Sequence, residues 1–334
     1  MHNFRGLLLL CLWLAGCLRP NPNEVVVYTA LDREFSEPIF AEFTKETGIR
    51  VLAKYDAEST KTVGLTNAII AEAARPRCDV FWNNEILNTI RLERRGLLAE
   101  FHPANAGQIP DQYRSPNARW YGFAARARVL LVNTKLIPES ERPRSVLDLA
   151  DPKWKDRVGI AKPLFGTTAT HVAEMFAHWP AEKAQEFWRS VLENSQVLSG
   201  NKQVARAVSS GQLAWGLTDT DDAIIERDEG FPVEIVFPDQ EAGGLGTPLI
   251  PNTVCLISGG PHPAAARQLV DHLLSPAVEA KLALGRSAQI PLLSGTTTAS
   301  RLQMPVSLKT LDVSFATAAD QWNAAASFIH KHVK

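Results

Sequence analysis

The chain has 334 residues, of which 45% are hydrophobic and 21% are charged, and its formal net charge is -1. This composition is ordinary for a globular protein and provides enough apolar material for one large or two medium domains. The near-neutral charge and the lack of a block of Lys and Arg exclude an electrostatic preference for nucleic acid or for an anionic membrane surface.

The first residues are typical of a secretory signal. Arg5 is positively charged, and the apolar stretch of residues 6–14 is too short to span a bilayer. The signal, residues 1–16, is followed by Cys17, and the sequence Leu14-Ala15-Gly16-Cys17 resembles a bacterial lipobox, in which the Cys is lipidated. A plain cleavable signal with an incidental Cys is the alternative. Residues 17–24 are predicted to form a polar tether.

Strands and helices alternate after the tether. The spacing predicts strands at residues 25–28, 49–55 and 78–82, and helices at residues 35–47, at residues 62–74 and ending at Gly96. Gly48 is expected to end the first helix. This alternation implies right-handed βαβ units and a mainly parallel sheet.

The same pattern returns in the second half of the chain. We predict strands at residues 158–161 and 213–217, and helices at residues 168–177, 181–193, 203–209, 264–274, 278–283 and 314–329, with another ending at Gly230. The long β-rich run at residues 121–132 is predicted to cross from one α/β lobe to the other, and residues 253–257 to cross back. The predicted lobes are residues 25–125 with 247–296, and residues 126–246 with 297–334.

Several segments, taken in order, resemble the iron(III) substrate-binding proteins of ABC importers. They are VVVYTALDREFSEPIFAEFTKETGI (25–49), CDVFWNNEILNTIRLERRGLL (78–98), SVLDLADPKWKDRVGIA (145–161), PNTVCLISGGPHPAAARQLVDHLLSPAVEAKLA (251–283) and AQIPL (288–292). The resemblance implies an α/β fold of the two-lobed periplasmic-binding-protein type (type II), each lobe being a mainly parallel sheet with helices on both faces. It also implies a monomer that serves an ABC permease and ATPase, held at a membrane through Cys17.

In that family, one His, one Glu and a consecutive pair of Tyr hold a ferric ion. Here the His position falls on Asp32, the Glu position on Asn84 or its neighbour Glu85, and the Tyr pair on Thr220 and Asp221. None of these is the usual residue type. Hard cations accept carboxylate oxygen, so Asp32, Asp221 and Asp222 form a candidate metal site. The same acids would equally suit an organic ammonium group.

The anion half of the family's site is better preserved. Gly166, Thr167 and Thr168 follow a predicted strand and open a helix, whose free backbone N–H groups and hydroxyls can cradle an anion. Asn201 and Thr218 fall at positions that contact the anion in the family. Ordinary turn chemistry is the alternative. The ligand is therefore expected to carry both charges: a metal ion such as Fe(III) with a phosphate- or carbonate-like anion, or a zwitterion such as an aminophosphonate. No resident cofactor is required.

The stretch GLTDTDDA, residues 216–223, carries three acids at the expected start of a helix. Asp is a favoured N-cap residue, so Asp219 or Thr218 is predicted to cap the helix. Asp219, Asp221 and Asp222 are also predicted to line the binding cleft, with Asp221 as an exposed acid of the first turn.

Other residues are expected to serve the structure. Arg126 and Arg128 alternate on the crossing strand, and their side chains are predicted to be mainly solvated, with one of them reaching the cleft as the alternative. Trp82, Trp215 and His171 are predicted to be packed. Cys78 and Cys255 lie in apolar runs and are expected to be buried thiols, although a bridge between them is the alternative.

Two further classes of function are alternatives to an importer component. A secreted hydrolase is disfavoured because the chain has no G-x-S-x-G, H-E-x-x-H or G-x-x-x-x-G-K-[ST] motif. The protein is therefore expected not to be an enzyme. A binding lipoprotein used for sensing would have the same lobes and cleft, so the sequence does not distinguish it from a transport protein.

Overall fold

The computed structural model describes residues 21–56 and 62–333. The predicted signal, the lipidation site Cys17 and the first half of the tether, residues 17–20, lie outside the described residues. Within the described ranges, no helix combines the length and the apolar composition that crossing a bilayer requires.

Nine strands occur in the described part of the chain. They are β1 (Glu24–Thr29), β2 (Arg50–Tyr55), β3 (Val80–Asn83), β4 (Tyr121–Asn133), β5 (Val158–Ala161), β6 (Ser195–Leu198), β7 (Trp215–Asp219), β8 (Val233–Val236) and β9 (Leu249–Leu256). The sequence pattern did not predict β6 and β8. Each of these has only four residues, and none of them is fully buried, so the hydrophobic signal is weak.

Ten α-helices occur in the same described ranges. They are α1 (Arg33–Thr47), α2 (Val63–Ala71), α3 (Leu87–Arg94), α4 (Gly166–His178), α5 (Ala181–Asn194), α6 (Asn201–Ser209), α7 (Thr220–Asp228), α8 (Pro263–Leu273), α9 (Pro276–Leu284) and α10 (Phe315–His332). Every helix predicted from the sequence is present within a few residues of its predicted limits. Gly48 ends α1 with a φ of 74°, a left-handed conformation that glycine adopts readily.

The strands form one sheet in the order β2-β1-β3-β9-β4-β7-β5-β6, and β8 pairs with β4. β1 is parallel to β2 and β3, and β5 is parallel to β6 and β7. Every antiparallel pair involves β4 or β9. Each half of the sheet therefore has the predicted parallel βαβ arrangement, and the antiparallel pairs belong to the strands that connect the halves.

The long strand β4 joins the two halves of the sheet. Its residues 121–127 pair with β9, whereas residues 128–133 pair with β7 and β8. All thirteen residues of β4 are buried. The predicted crossing strand is thus confirmed, while the limits of the two lobes stay a prediction.

Helix α10 contacts both halves. Its Phe328 packs against Phe176 of α4, with ring centroids 5.9 Å apart. Its Trp322 lies 5.0 Å below the guanidinium of Arg91, a residue of α3. The end of the chain therefore rests on α3, which follows β3, and on α4, which follows β5.

The predicted core residues are buried. Trp82 and Trp215 have no exposed surface, and His171 is packed edge to face against Trp188 with ring centroids 6.1 Å apart. Cys78 and Cys255 are buried free thiols, as expected, and form no bridge. These side chains stabilise the sheet and leave the loops after the strands to carry polar residues.

Candidate functional site

A small cleft lies beyond the carboxyl ends of β1, β3, β5, β6 and β7. Loops that leave parallel strands at their carboxyl ends are where open α/β sheets place ligands. The enclosed space is about 40 Å³, room for a few water-sized groups. The predicted binding residues that line it are Asp32, Asn84, Gly166, Thr167, Thr168, Asn201, Asp219, Asp221 and Asp222.

Arg128 of β4 lies behind this cleft and is completely buried. Its Nη1 donates to Asp219 Oδ1 at 2.5 Å, to Asn201 Oδ1 at 3.0 Å and to Thr167 Oγ1 at 3.3 Å, and its Nη2 donates to Thr168 Oγ1 at 3.1 Å. The other oxygen of Asp219, Oδ2, accepts from Thr167 Oγ1 at 2.6 Å and from Asn201 Nδ2 at 2.9 Å. Asp219 is therefore neutralised and held by protein groups.

A second arginine, Arg126, lies two residues earlier on β4 and is only 1% exposed. Its Nε is 3.2 Å from Asp221 Oδ2, its Nη1 donates to the carbonyl oxygen of Asn84 at 2.9 Å, and its Nη2 donates to Asn252 Oδ1 at 3.0 Å. Arg126 itself lines the cleft. The ion pair with Asp221 thus faces the space that a ligand would occupy.

The buried arginines overturn two sequence predictions. Arg126 and Arg128 were expected to be mainly solvated but are both buried, and Arg126 reaches the cleft, as the alternative had it. Asp221 was expected to be exposed but is only 7% exposed. The missed signal is a match of spacing: Arg128 on β4 is in register with Asp219 at the end of the antiparallel β7, and Asp221, two residues further on in the first turn of α7, pairs with Arg126, two residues earlier on β4. Two pairs of opposite charge at the same two-residue spacing favour such pairing.

The N-cap residue of α7, Asp219, and two acids of its first turn, Asp221 and Asp222, lie close together. Asp219, Asp221 and Asp222 each offer an oxygen, and these oxygens all lie within 4.8 Å of one another. Asp219 occupies the N-cap position of α7, but its side chain makes no capping hydrogen bond, so the prediction that it caps the helix is wrong. Its pairing with Arg128 explains why.

The start of α4 forms the opposite wall. Gly166 has a φ of 56°, which glycine adopts without steric cost and which turns the chain from the loop into the helix. No side chain caps this helix, and Gly166, Thr167 and Thr168 line the cleft. An anion in the cleft would meet the unsatisfied N–H groups and the positive end of the helix dipole.

Three other candidate residues point away from the cleft. Thr218 is fully buried and donates its hydroxyl to the carbonyl oxygen of Asn201 at 3.0 Å, so it positions Asn201 and does not line the cleft. Thr220 accepts from the backbone N–H of Ala127 at 3.1 Å. Glu85 accepts from the backbone N–H of Asn88 and from Thr170 Oγ1, both at 3.0 Å, and so holds the start of α3.

An ion pair lies beside the cleft. Lys202 of α6 donates to Glu34 of α1 at 2.9 Å, and this hydrogen bond raises the pKa of Lys202. The two helices belong to different halves of the sheet. The contact therefore links the halves next to Asp32 and Asp222, whose charges act on Lys202 as well.

Comparison with known proteins gives the family. Residues 89–312 match the family described as bacterial extracellular solute-binding protein. The chain belongs to this family. The resemblance found in the sequence is thereby confirmed, and the cleft between the two halves of the sheet is the place where a member of such a family would hold its solute.

Two relatives and one solved structure illustrate the likeness. The Fe(3+)-binding periplasmic protein of Serratia marcescens is 30% identical over 194 residues, which are 58% of this chain and 56% of that protein. Iron uptake protein A1 of Synechocystis sp. is 27% identical over 287 residues, 82% of this chain and 77% of that protein. The matched region thus covers little more than half the length of the Serratia relative.

The structural comparison concerns the fold. The crystal structure of iron-bound HitA from Pseudomonas aeruginosa superposes with a TM-score of 0.84 at 23% identity, covering 92% of this chain and 99% of that one. The predicted two-lobed, type II fold of a solute-binding protein is therefore confirmed. What this solute-binding protein captures has to be argued from the residues of its own cleft.

Proposed function

We propose that this solute-binding protein is the extracytoplasmic receptor of an ABC importer and that it captures iron(III), or a similarly hard cation, together with a small oxyanion. The observation that carries the proposal is that Asp221 and Asp222 bring carboxylate oxygens within 4.8 Å of each other in the cleft that Asp32 also lines. Hard cations favour such oxygen ligands. The names of the Serratia and Synechocystis relatives support the same ligand.

The residues divide into two roles in this proposal. Asp32, Asp221 and Asp222 supply carboxylate oxygens to the cation. Gly166, Thr167, Thr168 and Asn201 receive the anion at the start of α4. Asp219 does not ligate, because Arg128 holds one of its oxygens and Thr167 and Asn201 hold the other. Arg128 therefore positions both walls of the cleft.

The size of the cleft favours a compact ligand. About 40 Å³ admits an ion with a few ligand atoms and is small beside the several hundred Å³ of a typical pocket for organic molecules. Capture requires no covalent chemistry, since binding between two lobes and hinge closure are enough to present the closed form to a permease. We therefore propose a binding function without catalysis.

A small organic zwitterion, such as an aminophosphonate, is the second candidate. Arg126 favours it, because a guanidinium 3.2 Å from Asp221 competes with a cation for that carboxylate and can itself bind an oxyanion. Asn84 Oδ1 is buried without a hydrogen-bond partner in the described part of the chain and would accept from an ammonium group. This ligand requires a wider opening of the cleft than the ion does.

The proposal extends to the cell envelope. The lipobox-like sequence ending in Cys17 supports a protein that lies in the periplasm or at the cell surface and is anchored to a membrane by a lipid on Cys17, with residues 17–24 as the tether. A permease and an ATPase are the partners that an importer requires, and the receptor acts as a monomer. Lobe 1 comprises residues 25–125 and 247–296, and lobe 2 comprises residues 126–246 and 297–334.

A thermal-shift series tests the choice of ligand. The protein is heated with ferric salt, phosphate, ferric salt plus phosphate or citrate, and 2-aminoethylphosphonate. We expect the melting temperature to rise most with iron and anion together, since a ligand of the native state stabilises it by mass action. A rise with the aminophosphonate alone would replace the first candidate by the second, and a series without any rise would contradict both.

A further inference from the structure

A second cavity, of about 800 Å³, is separate from the cleft. It lies between α3, the segment of residues 111–120, α4 and the segment of residues 310–316 that leads into α10. It shares no lining residue with the cleft. Its volume falls within the range of pockets that hold small organic molecules.

The first observation that indicates a ligand in this cavity is the state of Glu174 of α4. Its side chain lines this cavity and is 3% exposed, and its Oε2 is buried without a hydrogen-bond partner among the residues that the structure describes. Burial raises the pKa of Glu174 to about 8, although the charge of Arg128 acts in the opposite direction. A buried carboxyl group without a partner is costly, so its presence beside a cavity requires an explanation.

A second acid, Glu93 of α3, also lines the cavity. It accepts from Ser115 Oγ at 2.6 Å and from Trp120 Nε1 at 2.7 Å, both of which are neutral donors. Three arginines line the cavity, and each contacts a group other than Glu93 and Glu174; Arg119 donates to the carbonyl oxygen of Leu98 at 2.5 Å. Arg94 pairs with Asp320 at 2.8 Å, and Arg114 pairs with Asp111 and donates to the carbonyl oxygen of Ala106. The inner wall is therefore short of positive charge.

Aromatic side chains form the rest of the wall. Tyr113 and Phe315 lie with ring centroids 6.2 Å apart, and Trp120 is held by its hydrogen bond to Glu93. Aromatic faces attract cations, and carboxylates pair with ammonium groups through charge-assisted hydrogen bonds. The two features together select a positively charged organic group.

We propose that this cavity is a second binding site, for a small organic ammonium compound whose charged end pairs with Glu174 and whose apolar body packs between Tyr113, Trp120 and Phe315. The site does not depend on the identity of the solute in the cleft. The compound would touch α3 and α4 at once, and these helices belong to different halves of the sheet.

Isothermal titration with phenethylamine tests the proposal. This probe joins a primary ammonium group to an aromatic ring, and 2-phenylethanol is its neutral counterpart of similar shape. At about pH 8.5, where the Glu174 carboxyl is more than half ionised, we expect a Kd for phenethylamine below about 1 mM and at least about tenfold weaker binding of the alcohol. Equal binding of both compounds, or no binding of the amine, would overturn the proposal.

Glu174→Gln locates the site. This variant keeps the shape of the side chain and removes its charge, and we expect phenethylamine to bind at least about tenfold more weakly, the equivalent of losing one charge-assisted contact. Glu182→Gln, at an exposed position of α5, is the matched control and should bind the amine as the wild type does. Unchanged binding by Glu174→Gln would mean that the amine binds elsewhere. If this variant is unstable, the comparison of amine and alcohol is repeated on Asp221→Asn, which alters the cleft only: a preserved preference for the amine supports the second cavity, and a lost preference would overturn the proposal.

Discussion

The start and the middle of α4 lie in different surroundings. At its start, the hydroxyls of Thr167 and Thr168 and both terminal nitrogens of Arg128 make hydrogen bonds in a paired network. Further along, His171 Nδ1 and Glu174 Oε2 are buried without partners among the described residues. Burial lowers the pKa of His171 to about 3 and raises that of Glu174 to about 8.

This difference shows what pairing does for a buried charge. Where an arginine meets a carboxylate, both groups remain charged in the interior and can orient a ligand. Where no partner is present, burial favours the neutral form, and the site becomes sensitive to pH. The start of α4 thus carries a paired network that orients the cleft, and the middle of the helix carries two titratable groups without hydrogen-bond partners at His171 Nδ1 and Glu174 Oε2 among the described residues.

Removing Arg128 from the network at the start of α4 should have the largest effect on stability. Arg128→Met leaves Asp219 buried with only Thr167 and Asn201 as partners, so its charge is uncompensated. We expect the free energy of unfolding to fall by about 3–5 kcal/mol, as is typical when one partner of a buried ion pair is removed. Urea denaturation measures this loss.

An exposed ion pair provides the control for Arg128→Met. Lys153 and Asp151 are 3.2 Å apart, with side chains 59% and 38% exposed. Lys153→Met should therefore cost less than about 1 kcal/mol. If Arg128→Met were as mild as this control, the network at the start of α4 would not hold the cleft together.

Neutralising Asp221 tests the ligand-facing ion pair. Asp221→Asn keeps an oxygen near Arg126 but removes a carboxylate from the cleft, and we expect the affinity for ferric ion with phosphate to fall at least about a hundredfold, or about 2.7 kcal/mol. Titration calorimetry provides the measurement. Because Asp221 is buried, some stability is lost as well, about 1–3 kcal/mol.

Asp228→Asn, at the exposed end of α7, is the matched control for Asp221→Asn. It removes the same charge from the same helix and should leave the affinity unchanged. An affinity of Asp221→Asn within threefold of the control, on the order of 0.6 kcal/mol, would exclude Asp221 as a ligand.

Glu174, in the middle of α4, can be examined by measuring the free energy of unfolding as a function of pH. The unfolded pKa of Glu174 is 4.5 and the folded value about 8, so the folded state holds a proton that the unfolded state has lost between these values. The wild type therefore loses stability from this group as the pH rises from 4.5 to 8. Glu174→Gln lacks this loss, and we expect it to be about 4 kcal/mol more stable than the wild type at pH 8.

This gain should disappear in acid. Near pH 4 the carboxyl group is protonated in both states, so urea denaturation should give Glu174→Gln and the wild type nearly equal stability. Glu182→Gln should show no pH-dependent gain at all. A gain of the same size at both pH values would attribute the effect to packing and not to the proton.

Replacing His171 should have the smallest effect on stability. The effect should appear as the pH falls, whereas that of Glu174 appears as the pH rises. Its pKa is 6.5 unfolded and about 3 folded, so the unfolded state binds a proton first as the pH falls, and stability is lost below 6.5. At pH 5 this loss is about 2 kcal/mol, and His171→Leu should avoid it. Denaturation at pH 7.5 and 5 measures the difference, with His330→Leu, on the exposed face of α10, as the control.

The local pattern of the sequence predicts much of this structure. The strands other than β6 and β8, the helices and the polar residues after the carboxyl ends of β1, β3, β5 and β7 follow from hydrophobic periodicity and from turn residues such as Gly166. These positions converge because parallel strands end at the same edge. For this reason the sequence could bring Asp32, Thr167 and Asp221 to one cleft before any coordinates were known.

The charges inside the structure could not be assigned in the same way. Arg128 lies 91 residues before its partner Asp219, so no local window contains both. An arginine that alternates with alanine looks like the solvated face of a strand until its partner strand is known. Glu174 poses the same difficulty, because helical periodicity gives no indication that a cavity adjoins the helix.

Helix α10 has a consequence for how far apart the two walls of the cleft can move. It holds α4 through Phe328 and Phe176, and α3 through Trp322 and the exposed pair of Arg94 and Asp320. Any separation of α3 from α4 would have to detach one of these attachments. The exposed ion pair of Arg94 and Asp320 is weaker than the contact between Phe328 and Phe176, so α10 should stay with α4 when α3 moves away. The ion pair resists this separation, and its resistance should fall with added salt.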